Sequence, residues 1–498
     1  MSDVFIELKN IEKHFSGVRA LDGVSLTLRK GEIHCLAGEN GSGKSTIIKV
    51  MSGIYTPDAG EIFIDGEPIS QLTPIMAIRK GIQVIYQDFS LFGNLTVAEN
   101  LTMNVSLREN RKLVNWRRSR ELARQVLERL NVDIDLDAEV SSLPTSGKQL
   151  VAIARALLSD ARLIIMDEPT TALTSKEVET LFRIVKDIQA RGITVLFVSH
   201  KMREMLEISE HITILRNGKK VAEGEAKDFD EFAIIRHMTG QDVHFEGYQW
   251  QHQEGVQPRL KVEKLCLPGY LDNVDLEIGP GEIVGLSGLL GSGRTALALS
   301  LFGMVPNISG NVFIDGKKAD LGSIQKAIAE GIAYVPEDRL TEGLFLTQSI
   351  NRNILATSYE ELAKNIVIDQ NKAAGWTEDM IKTLQIATPT GEKIVGQLSG
   401  GNQQRVVLSR WFLTGAKVLI LNGPTVGVDI GSKAEIHKKI RELAVNNGLA
   451  VLMISDDVLE LVQNCNRIIL MHKGQFVDCF QTEETSEDHI NDKLKELQ

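Results

Sequence analysis

The chain has 498 residues, which is more than one hydrophobic core normally serves, so its length predicts two or more domains. Apolar residues make up 43% and charged residues 24%, a globular composition that argues against a disordered or fibrous chain. The formal net charge is −11, from 55 Lys and Arg against 66 Asp and Glu, so we expect no non-specific binding to nucleic acid.

Hydropathy and cysteine spacing argue against membrane-spanning, zinc-binding and disulfide-bonded classes of protein. No stretch approaches the roughly 18 consecutive apolar residues of a membrane span, and the first residues lack a basic region followed by an apolar one. We therefore expect a soluble, cytoplasmic protein. The four cysteines (Cys35, Cys266, Cys465 and Cys479) are widely separated, and their spacing predicts neither a zinc site nor a disulfide framework.

The chain contains one long internal repeat. A glycine-rich segment beginning at Gly38 recurs at Gly288, 250 residues later, and residues 60–66 recur as residues 310–316. The repeat predicts two homologous domains, at residues 1–240 and 260–498. Residues 241–259 are rich in Gln, Gly and other polar residues and have no helical or strand period, so we interpret them as the linker.

The first motif of the first domain is a phosphate-binding loop. An apolar strand at residues 33–37 is followed by a match to G-x-x-x-x-G-K-[S/T] and by a helix that begins near Lys44. In such a loop, backbone N–H groups surround phosphate oxygens, Lys44 adds a positive charge, and Ser45 offers a hydroxyl to Mg²⁺. The predicted nucleotide-binding residues of this loop are Gly38, Glu39, Asn40, Gly41, Ser42, Gly43, Lys44, Ser45 and Thr46.

An acidic pair follows a second buried strand. Residues 163–166 are apolar, and Asp167 and Glu168 come directly after them, at the exposed carboxyl end of the strand. Asp167 is predicted to hold Mg²⁺ through water, and Glu168 to act as the general base on the attacking water. A solvated turn is the alternative interpretation.

Strands and helices alternate through both halves, which predicts an α/β fold with a largely parallel sheet. The strand at residues 194–198 is followed by a helix-compatible segment, and the clearest helix is predicted at residues 175–191. It begins with a Thr174–Glu177 capping box and ends before Gly192.

The second domain repeats these positions with altered residues. Its phosphate loop runs from Gly288 to Gly293 and ends in Arg294 and Thr295, with arginine in place of lysine. In the first domain, Gln87 follows a strand at residues 84–86, and His200 comes shortly after the strand at residues 194–198. The positions that align with Gln87, Asp167, Glu168 and His200 carry, respectively, Glu337, Asn422, Gly423 and Asp456.

The run Leu-Ser-Gly-Gly-Asn-Gln-Gln at residues 398–404 is the most specific feature of the second domain. It resembles the signature of ATP-binding-cassette (ABC) ATPases, and the tandem arrangement is similar to that of the ATPases of bacterial ribose, galactose, arabinose and xylose importers (the carbohydrate uptake transporter-2 family). The resemblance implies two P-loop ABC domains, each with a mixed or parallel sheet core and a helical subdomain. It also implies ATP and Mg²⁺ as ligands.

The same resemblance implies roles for single residues. Phe15 matches the aromatic residue that stacks on adenine, although core filling is an equal alternative for it. Gln87 matches the residue that senses Mg²⁺ and the permease, and His200 matches the switch histidine. In this family the signature caps the γ-phosphate bound by the opposite domain. The residues that the resemblance implies for this contact with nucleotide are Ser399, Gly400, Gly401, Asn402 and, in the D-loop, Asp429.

In this family each ATP site is composite, because it combines the Walker motifs of one domain with the signature of the other. The altered residues of this chain all fall in one of the two composite sets. The first set, which joins the Walker motifs of the first domain to the signature of the second, is intact. The second set is altered throughout, and its facing signature contains Pro144 and Ser146, where proline removes an N–H donor. We therefore expect one hydrolysing site, with Lys44, Gln87, Glu168 and His200 as its catalytic residues and Ser45, Gln87 and Asp167 as its metal-binding residues, and one degenerate site.

The resemblance implies partners and leaves alternatives. The segments 88–142 and 338–397 resemble the helical subdomains that dock a permease, so we expect permease subunits, two copies per chain, and indirectly a secreted solute-binding protein. The expected location is the inner face of the cell membrane. The alternatives are a soluble tandem ABC ATPase acting on ribosomes, a regulatory subunit without turnover, and an importer ATPase for a non-sugar ligand such as autoinducer-2.

Overall fold

The structure is a computed structural model that describes residues 3–15, 17–86, 88–108, 115–130, 132–170, 173, 175–199, 201–240, 250, 255–364, 367–428 and 430–497. The chain divides into two compact units, Met1–Val243 (the first unit) and His244–Gln498 (the second unit). Most of the predicted linker, residues 241–249 and 251–254, lies outside the described residues.

The first unit combines two sheets with helices. Its strands are β1 (Val4–Phe15), β2 (Val18–Arg29), β3 (Ile33–Gly38), β4 (Ala59–Ile64), β5 (Glu67–Ile69), β6 (Ile82–Ile85), β7 (Leu163–Asp167), β8 (Thr194–Val198), β9 (His211–Arg216) and β10 (Lys219–Glu225). Its helices are α1 (Lys44–Met51), α2 (Pro74–Arg79), α3 (Val97–Arg108), α4 (Trp116–Arg129), α5 (Thr145–Leu158), α6 (Ser175–Ala190), α7 (Met202–Ile208) and α8 (Glu231–Thr239).

The larger sheet of the first unit has the order β10-β9-β3-β8-β7-β6, and the smaller sheet has the order β2-β1-β4-β5. Strands β3, β6, β7, β8 and β9 pair in parallel, while β10 is antiparallel to β9. Strands β3 and β8 are buried along their whole length, because one face of the sheet packs against helices such as α5 and α6 and the other packs against α1 and the smaller sheet. The α/β fold predicted from the sequence is therefore confirmed.

Parallel pairing determines where the motifs meet. The carboxyl ends of β3, β7 and β8 lie at one edge of the sheet, because these strands run in the same direction as neighbours. The phosphate loop follows β3, Glu168 follows β7, and Ser199 follows β8. Three segments far apart in sequence are thereby brought to one edge.

The clearest predicted helix is also confirmed. Helix α6 spans Ser175–Ala190, and Leu181, Phe182, Val185 and Ile188 are buried on its inner face. Gly192 has a φ of 81°, the left-handed conformation that ends helices. Thr174, the predicted capping residue, lies outside the described residues.

The second unit is built in the same way. Its strands are β11 (Leu260–Leu267), β12 (Leu271–Ile278), β13 (Ile283–Gly288), β14 (Ser309–Ile314), β15 (Lys317–Lys318), β16 (Ile332–Val335), β17 (Ala363–Lys364), β18 (Val367–Ile368), β19 (Val418–Asn422), β20 (Ala450–Ile454), β21 (Arg467–His472) and β22 (Gln475–Gln481). Its helices are α9 (Arg294–Leu301), α10 (Ile324–Ala329), α11 (Ile350–Leu355), α12 (Tyr359–Leu362), α13 (Gln370–Thr383), α14 (Gly400–Phe412), α15 (Ile430–Asn447), α16 (Val458–Asn464) and α17 (Glu487–Glu496).

The larger sheet of the second unit has the order β16-β19-β20-β13-β21-β22. Read from its other end, the larger sheet of the first unit is β6-β7-β8-β3-β9-β10, so corresponding strands hold corresponding places. The internal repeat of the sequence is thus also a repeat of topology.

The segments predicted as helical subdomains contain helices, with one addition. In the first unit, α3 and α4 lie between β6 and α5. In the second unit, α11, α12 and α13 lie between β16 and α14, and the short strands β17 and β18 form an antiparallel pair there that the sequence analysis did not predict. The pair is too short to produce a visible sequence period.

Two further properties bear on the sequence expectations. In the described part of the chain, no helix has the combination of length and apolar character that spanning a membrane requires. All four cysteines are free, with Cys35 and Cys465 buried and Cys479 exposed.

Candidate nucleotide-binding sites

The phosphate loop of the first unit connects β3 to α1 and ends in a position that requires glycine. Gly43, which caps α1, has a φ of 109°, and a Cβ at this position would lie 2.7 Å from the carbonyl oxygen of Ala20. Within the loop, the N–H of Ser42 donates to the carbonyl of Glu39 at 3.1 Å. The loop is therefore a tight turn that ends at a helix N-terminus, the arrangement that suits phosphate.

Lys44 is the buried cation of this loop. Its side chain is only 6% exposed, and its ammonium donates to the carbonyl oxygens of Gly38 at 2.6 Å and Glu39 at 2.9 Å. Burial lowers the pKa of Lys44, while the nearby carboxylates of Glu168 and Asp167 act in the opposite direction. Ser45, the next residue, is exposed. The lysine is thus held by backbone carbonyls of its own loop, close to both acidic residues.

The predicted acidic pair lies at the end of β7. Burial raises the pKa of Asp167, the charge of Glu168 raises it further, and Lys44 lowers it. Glu168 has a φ of 49°, and its N–H donates to the carbonyl of Val198 at 2.9 Å. A non-glycine residue in this conformation costs about 1–2 kcal/mol, and such strain is concentrated at functional sites.

Several predicted site residues lie outside the described residues: Gln87, His200 and Asp429. The strands that precede Gln87 and His200 in sequence, β6 and β8, are the two neighbours of β7 in the sheet. Their roles remain predictions.

Phe15 lies at the end of β1 and is 38% exposed. Its ring centroid is 5.1 Å from that of Tyr55, and the ammonium of Lys13 lies 5.7 Å from the Phe15 centroid. The ring is therefore only partly covered within the first unit, and core filling does not describe it.

Sequence reasoning missed one buried carboxylate, Glu204. It accepts hydrogen bonds from the hydroxyls of Thr170 at 2.6 Å and Ser199 at 3.2 Å, and it forms an ion pair with Lys201 at 3.0 Å. Glu204 thereby ties the segment after Glu168 to the segment after β8.

The second unit repeats this link. Glu460 accepts from the hydroxyls of Thr425 and Ser455 and contacts His437 at 2.8 Å. Although burial opposes the shift, the hydrogen bonds and the positive charge of neighbouring groups lower the pKa of Glu460 to about 2. The signal that reveals both residues is the internal repeat, since Thr170, Ser199 and Glu204 each recur as the same residue type.

The signature segment begins α14. Ser399 is the N-cap residue, and its hydroxyl accepts from the side-chain amide of Asn402 at 2.9 Å, while Asn402 accepts from the N–H of Ala387 at 2.8 Å. Ser399 is exposed and Gly401 is buried. A serine followed by two glycines therefore stands at the start of a long helix, where the first N–H groups have no acceptor within the helix itself.

The corresponding residue of the first unit is Pro144, the N-cap residue of α5. It contributes neither a hydroxyl nor an N–H, and no side chain caps this helix. Ser146 is half-buried in the first turn. The first unit therefore lacks the donor set present at residues 399–401.

The phosphate loop of the second unit has a similar backbone with different electrostatics. Gly293 has a φ of 109°, the value found at Gly43, and Thr295 is exposed as Ser45 is. Arg294 is 8% exposed, forms an ion pair with Asp456 at 2.6 Å and donates to the carbonyl of Ser455 at 3.3 Å. Its positive charge is therefore already matched by a carboxylate of the same unit.

The acidic pair has no counterpart in the second unit. Asn422 is buried at the end of β19, and its amide nitrogen lies 3.5 Å from the hydroxyl of Tyr334. Gly423 has a φ of 59°, and its N–H donates to the carbonyl of Ile454 at 2.8 Å. A Cβ at Gly423 would lie 3.0 Å from Cγ of Glu337. Gly423 keeps the backbone conformation of Glu168, but it has no side chain that could act as a general base.

The chain matches the family described as ABC transporter over residues 21–171 and again over residues 271–426. It is 38% identical over 496 residues to a protein of Burkholderia cenocepacia (strain HI2424) named as a ribose/galactose/methyl galactoside import ATP-binding protein, with 99% of this chain and 94% of that protein covered. It is 39% identical over 488 residues to Ribose import ATP-binding protein RbsA 1 of Rubrobacter xylanophilus, with 97% of each chain covered.

A solved nucleotide-free ATP-binding cassette from an ABC transporter is 28% identical, with a TM-score of 0.43, 48% of this chain covered and 96% of that chain covered.

Proposed function

Because the chain belongs to the ABC transporter family, we propose that it is the ATP-hydrolysing, energy-coupling subunit of an importer for a monosaccharide or a related small polar solute. Relatives named for ribose and galactose import match nearly the whole chain at 38–39% identity, which supports the choice of solute. The observation that carries the proposal is the position of Lys44, which is buried beside the carboxylates of Asp167 and Glu168 at the end of a parallel sheet.

The first unit supplies the chemistry. Lys44 would exchange the carbonyls of Gly38 and Glu39 for phosphate oxygens, so that its charge acts where negative charge develops. Glu168 would accept a proton from the attacking water, a contribution of about 10²–10⁴ in rate. The strained backbone of Glu168, fixed by its bond to Val198, positions that carboxylate before ATP arrives.

The residues present fit Mg²⁺. Asp167 and Glu168 are adjacent carboxylates whose mutual repulsion and burial raise the pKa of Asp167, and a divalent cation would offset both effects. Asp167, the Ser45 hydroxyl and Gln87 are the proposed holders. When bound, the ion neutralises charge on the β- and γ-phosphates.

We further propose that this hydrolysis requires residues 399–401 of the second unit. The support is the sorting of substitutions: the unit with the acidic pair carries Pro144 in its own signature, and the unit with Ser399 carries Asn422 and Gly423 in place of the acidic pair. The second phosphate loop does not hydrolyse ATP in this proposal, because it lacks a base.

The proposed partners are two membrane permease subunits and, through them, a secreted solute-binding protein. The proposed location is peripheral, on the inner face of the cell membrane, with the segments 88–142 and 338–397 facing the permease. Family membership is the support for this assignment, because ABC importers divide transport among such chains.

The test compares steady-state ATP hydrolysis by the full-length chain and three variants. Glu168→Gln and Gly401→Asp should each lose hydrolysis by about 10²-fold or more, while both keep ADP binding. Glu207→Gln changes an exposed glutamate of the first unit and serves as the matched control. Wild-type rates for Glu168→Gln would overturn the assigned base, and wild-type rates for Gly401→Asp would overturn the requirement for the second unit.

Substrate and partner are tested by co-purification and uptake. A multi-span permease should co-purify with the chain, and labelled ribose, galactose, arabinose or xylose should enter cells in a manner that depends on Glu168. Uptake of autoinducer-2 alone would redirect the solute assignment. Association with ribosomes and no permease would contradict the importer.

A further inference from the structure

Arg339 begins a π-helical turn, Arg339–Gly343, shortly after β16 in the second unit. Asp338 caps this turn: its carboxylate accepts from the N–H groups of Leu340 at 2.9 Å and Thr341 at 3.2 Å, and from the Thr341 hydroxyl at 2.7 Å. Such turns are rare and are frequently found at functional sites. The cap fixes the backbone from which the Arg339 side chain extends.

The Arg339 guanidinium joins two other segments of the second unit. One terminal nitrogen donates to the carbonyl of Val426 at 2.5 Å, and the other donates to the carbonyl of Gly427 at 3.2 Å. Its Nε lies 3.4 Å from the amide oxygen of Gln403, in the first turn of α14. A rigid, planar group with several donors suits this bridging.

The bridge lies directly against the signature backbone. A Cβ at Gly400 would be 2.8 Å from a terminal nitrogen of Arg339 and 2.8 Å from the carbonyl oxygen of Gly427. Gly400 therefore allows Arg339 and the loop 425–428 to approach the start of α14. A shift of either segment would be transmitted to this backbone, because there is no free space between them.

In the first unit, whose signature contains Pro144, the matching position carries a side chain without hydrogen-bond donors. Phe89, two residues after Gln87, corresponds to Arg339, which is two residues after Glu337. The carbonyl of Phe89 instead accepts from Arg155 at 3.2 Å. The guanidinium that forms this bridge therefore occurs in the unit with the Ser-Gly-Gly signature, whereas Phe89 has no group that could donate in the same way.

We propose that Arg339 is a positioning residue for ATP hydrolysis: by holding the carbonyls of Val426 and Gly427 against α14, it fixes the backbone of residues 399–401. The inference rests on the proposed function, because it assigns Arg339 a role only through the signature. It adds a specific link, within the second unit, between the turn Arg339–Gly343 that follows β16 and the signature at residues 399–401.

The test uses full-length Arg339→Met and Arg339→Lys variants. Methionine keeps much of the side-chain volume and removes every donor. Lysine keeps the positive charge but loses the planar guanidinium that donates to two carbonyls at once. We expect Arg339→Met to lower kcat for MgATP about 10- to 100-fold. Equilibrium affinity for ADP should be unchanged, because ADP lacks the γ-phosphate and depends on residues 38–45. Arg339→Lys should give an intermediate kcat.

The matched control is Arg352→Ala, which removes an exposed arginine of the same subdomain whose guanidinium donates to the side chain of Gln348 at 2.7 Å. It should retain wild-type kcat. A kcat within twofold of wild type for Arg339→Met would overturn the proposal. So would an equal loss of kcat and ADP affinity in both Arg339 variants, because that pattern reports general loss of structure.

Gly401→Asp, measured in parallel, separates this inference from the function on which it rests. If Gly401→Asp is inactive and Arg339→Met is fully active, only the positioning role fails. If Gly401→Asp is fully active, the requirement for the signature fails, and the role of Arg339 fails with it.

Discussion

In the second unit, the Arg294 guanidinium lies 2.6 Å from the Asp456 carboxylate. Arg294 occupies the place of the phosphate-binding lysine, and Asp456 occupies the place that aligns with His200. Nucleotide phosphate at this loop would have to compete with a carboxylate of the same unit for the same cation. In the first unit, the corresponding cation, Lys44, donates instead to the backbone carbonyls of Gly38 and Glu39.

Asp456→Asn should therefore increase nucleotide binding at the second phosphate loop. In a chain whose first loop is disabled by Lys44→Ala, we expect the affinity for a fluorescent ATP analogue to rise severalfold when Asp456→Asn is added, because Arg294 loses its anionic partner. The measurement is an equilibrium titration that gives both the dissociation constant and the number of sites. Asp478→Asn, at an exposed carboxylate of the same unit, is the control. An identical response from the two variants would refute competition by Asp456.

Replacing Glu168 with glycine should stabilise the first unit while abolishing hydrolysis. Glycine adopts the 49° φ of this position without the steric cost, so we expect a gain of about 1 kcal/mol. This corresponds to a rise of about 2–4 °C in the midpoint of thermal unfolding. The opposite change in the second unit, Gly423→Ala, should lower its midpoint, because φ is 59° and the new Cβ would crowd Glu337. Calorimetry of both variants measures whether the midpoint of thermal unfolding rises for Glu168→Gly and falls for Gly423→Ala.

Asp167→Asn should stabilise the first unit at neutral pH and remove Mg²⁺-dependent hydrolysis. Burial and Glu168 raise the pKa of Asp167 above its unfolded value, so the native state binds the proton more tightly. The stabilisation from this proton is complete below the unfolded pKa and is lost as pH rises through the folded pKa. The gain from the variant should therefore be largest at pH 7 and should shrink as the pH falls toward about 4. Denaturant unfolding at several pH values measures this, and a pH-independent gain would contradict the assignment.

Ser199→Ala and Ser455→Ala form a matched pair that tests the buried glutamates. Each variant removes one hydroxyl donor to Glu204 or Glu460, at a cost of about 1–2 kcal/mol in the free energy of unfolding. We expect ATP hydrolysis to fall only for Ser199→Ala, because Glu204 ties Ser199 to the segment that follows Glu168. Equal loss of hydrolysis in the two variants would show that the link contributes to folding alone.

Local motifs and the internal repeat were sufficient to predict the fold and the first phosphate loop. Residues 38–45 are consecutive, so their spacing alone specifies the turn and the helix start. The largely parallel larger sheets followed from alternating strands and helices, and their strand order, which was not predicted, agrees with the repeat.

Contacts across the sheet could not be predicted in this way. Arg294 follows β13 and Asp456 follows β20, and they meet only because these strands pair in parallel, with Leu286 opposite Ile454. The left-handed backbone of Glu168 also has no sequence signal, since glutamate rarely adopts it. It arises from the hydrogen bond to Val198 on the neighbouring strand.

Gly423 determines what a side chain would meet at the position that Glu168 holds in the first unit. Its φ of 59° preserves the bend that Glu168 makes, but Cγ of Glu337 and Cγ2 of Val426 would each lie 3.0 Å from a Cβ placed there. Both distances are shorter than ordinary van der Waals contact, so each neighbouring side chain would have to move by a few tenths of an ångström. A glutamate introduced at Gly423 would therefore require small displacements of Glu337 and Val426, which are both exposed.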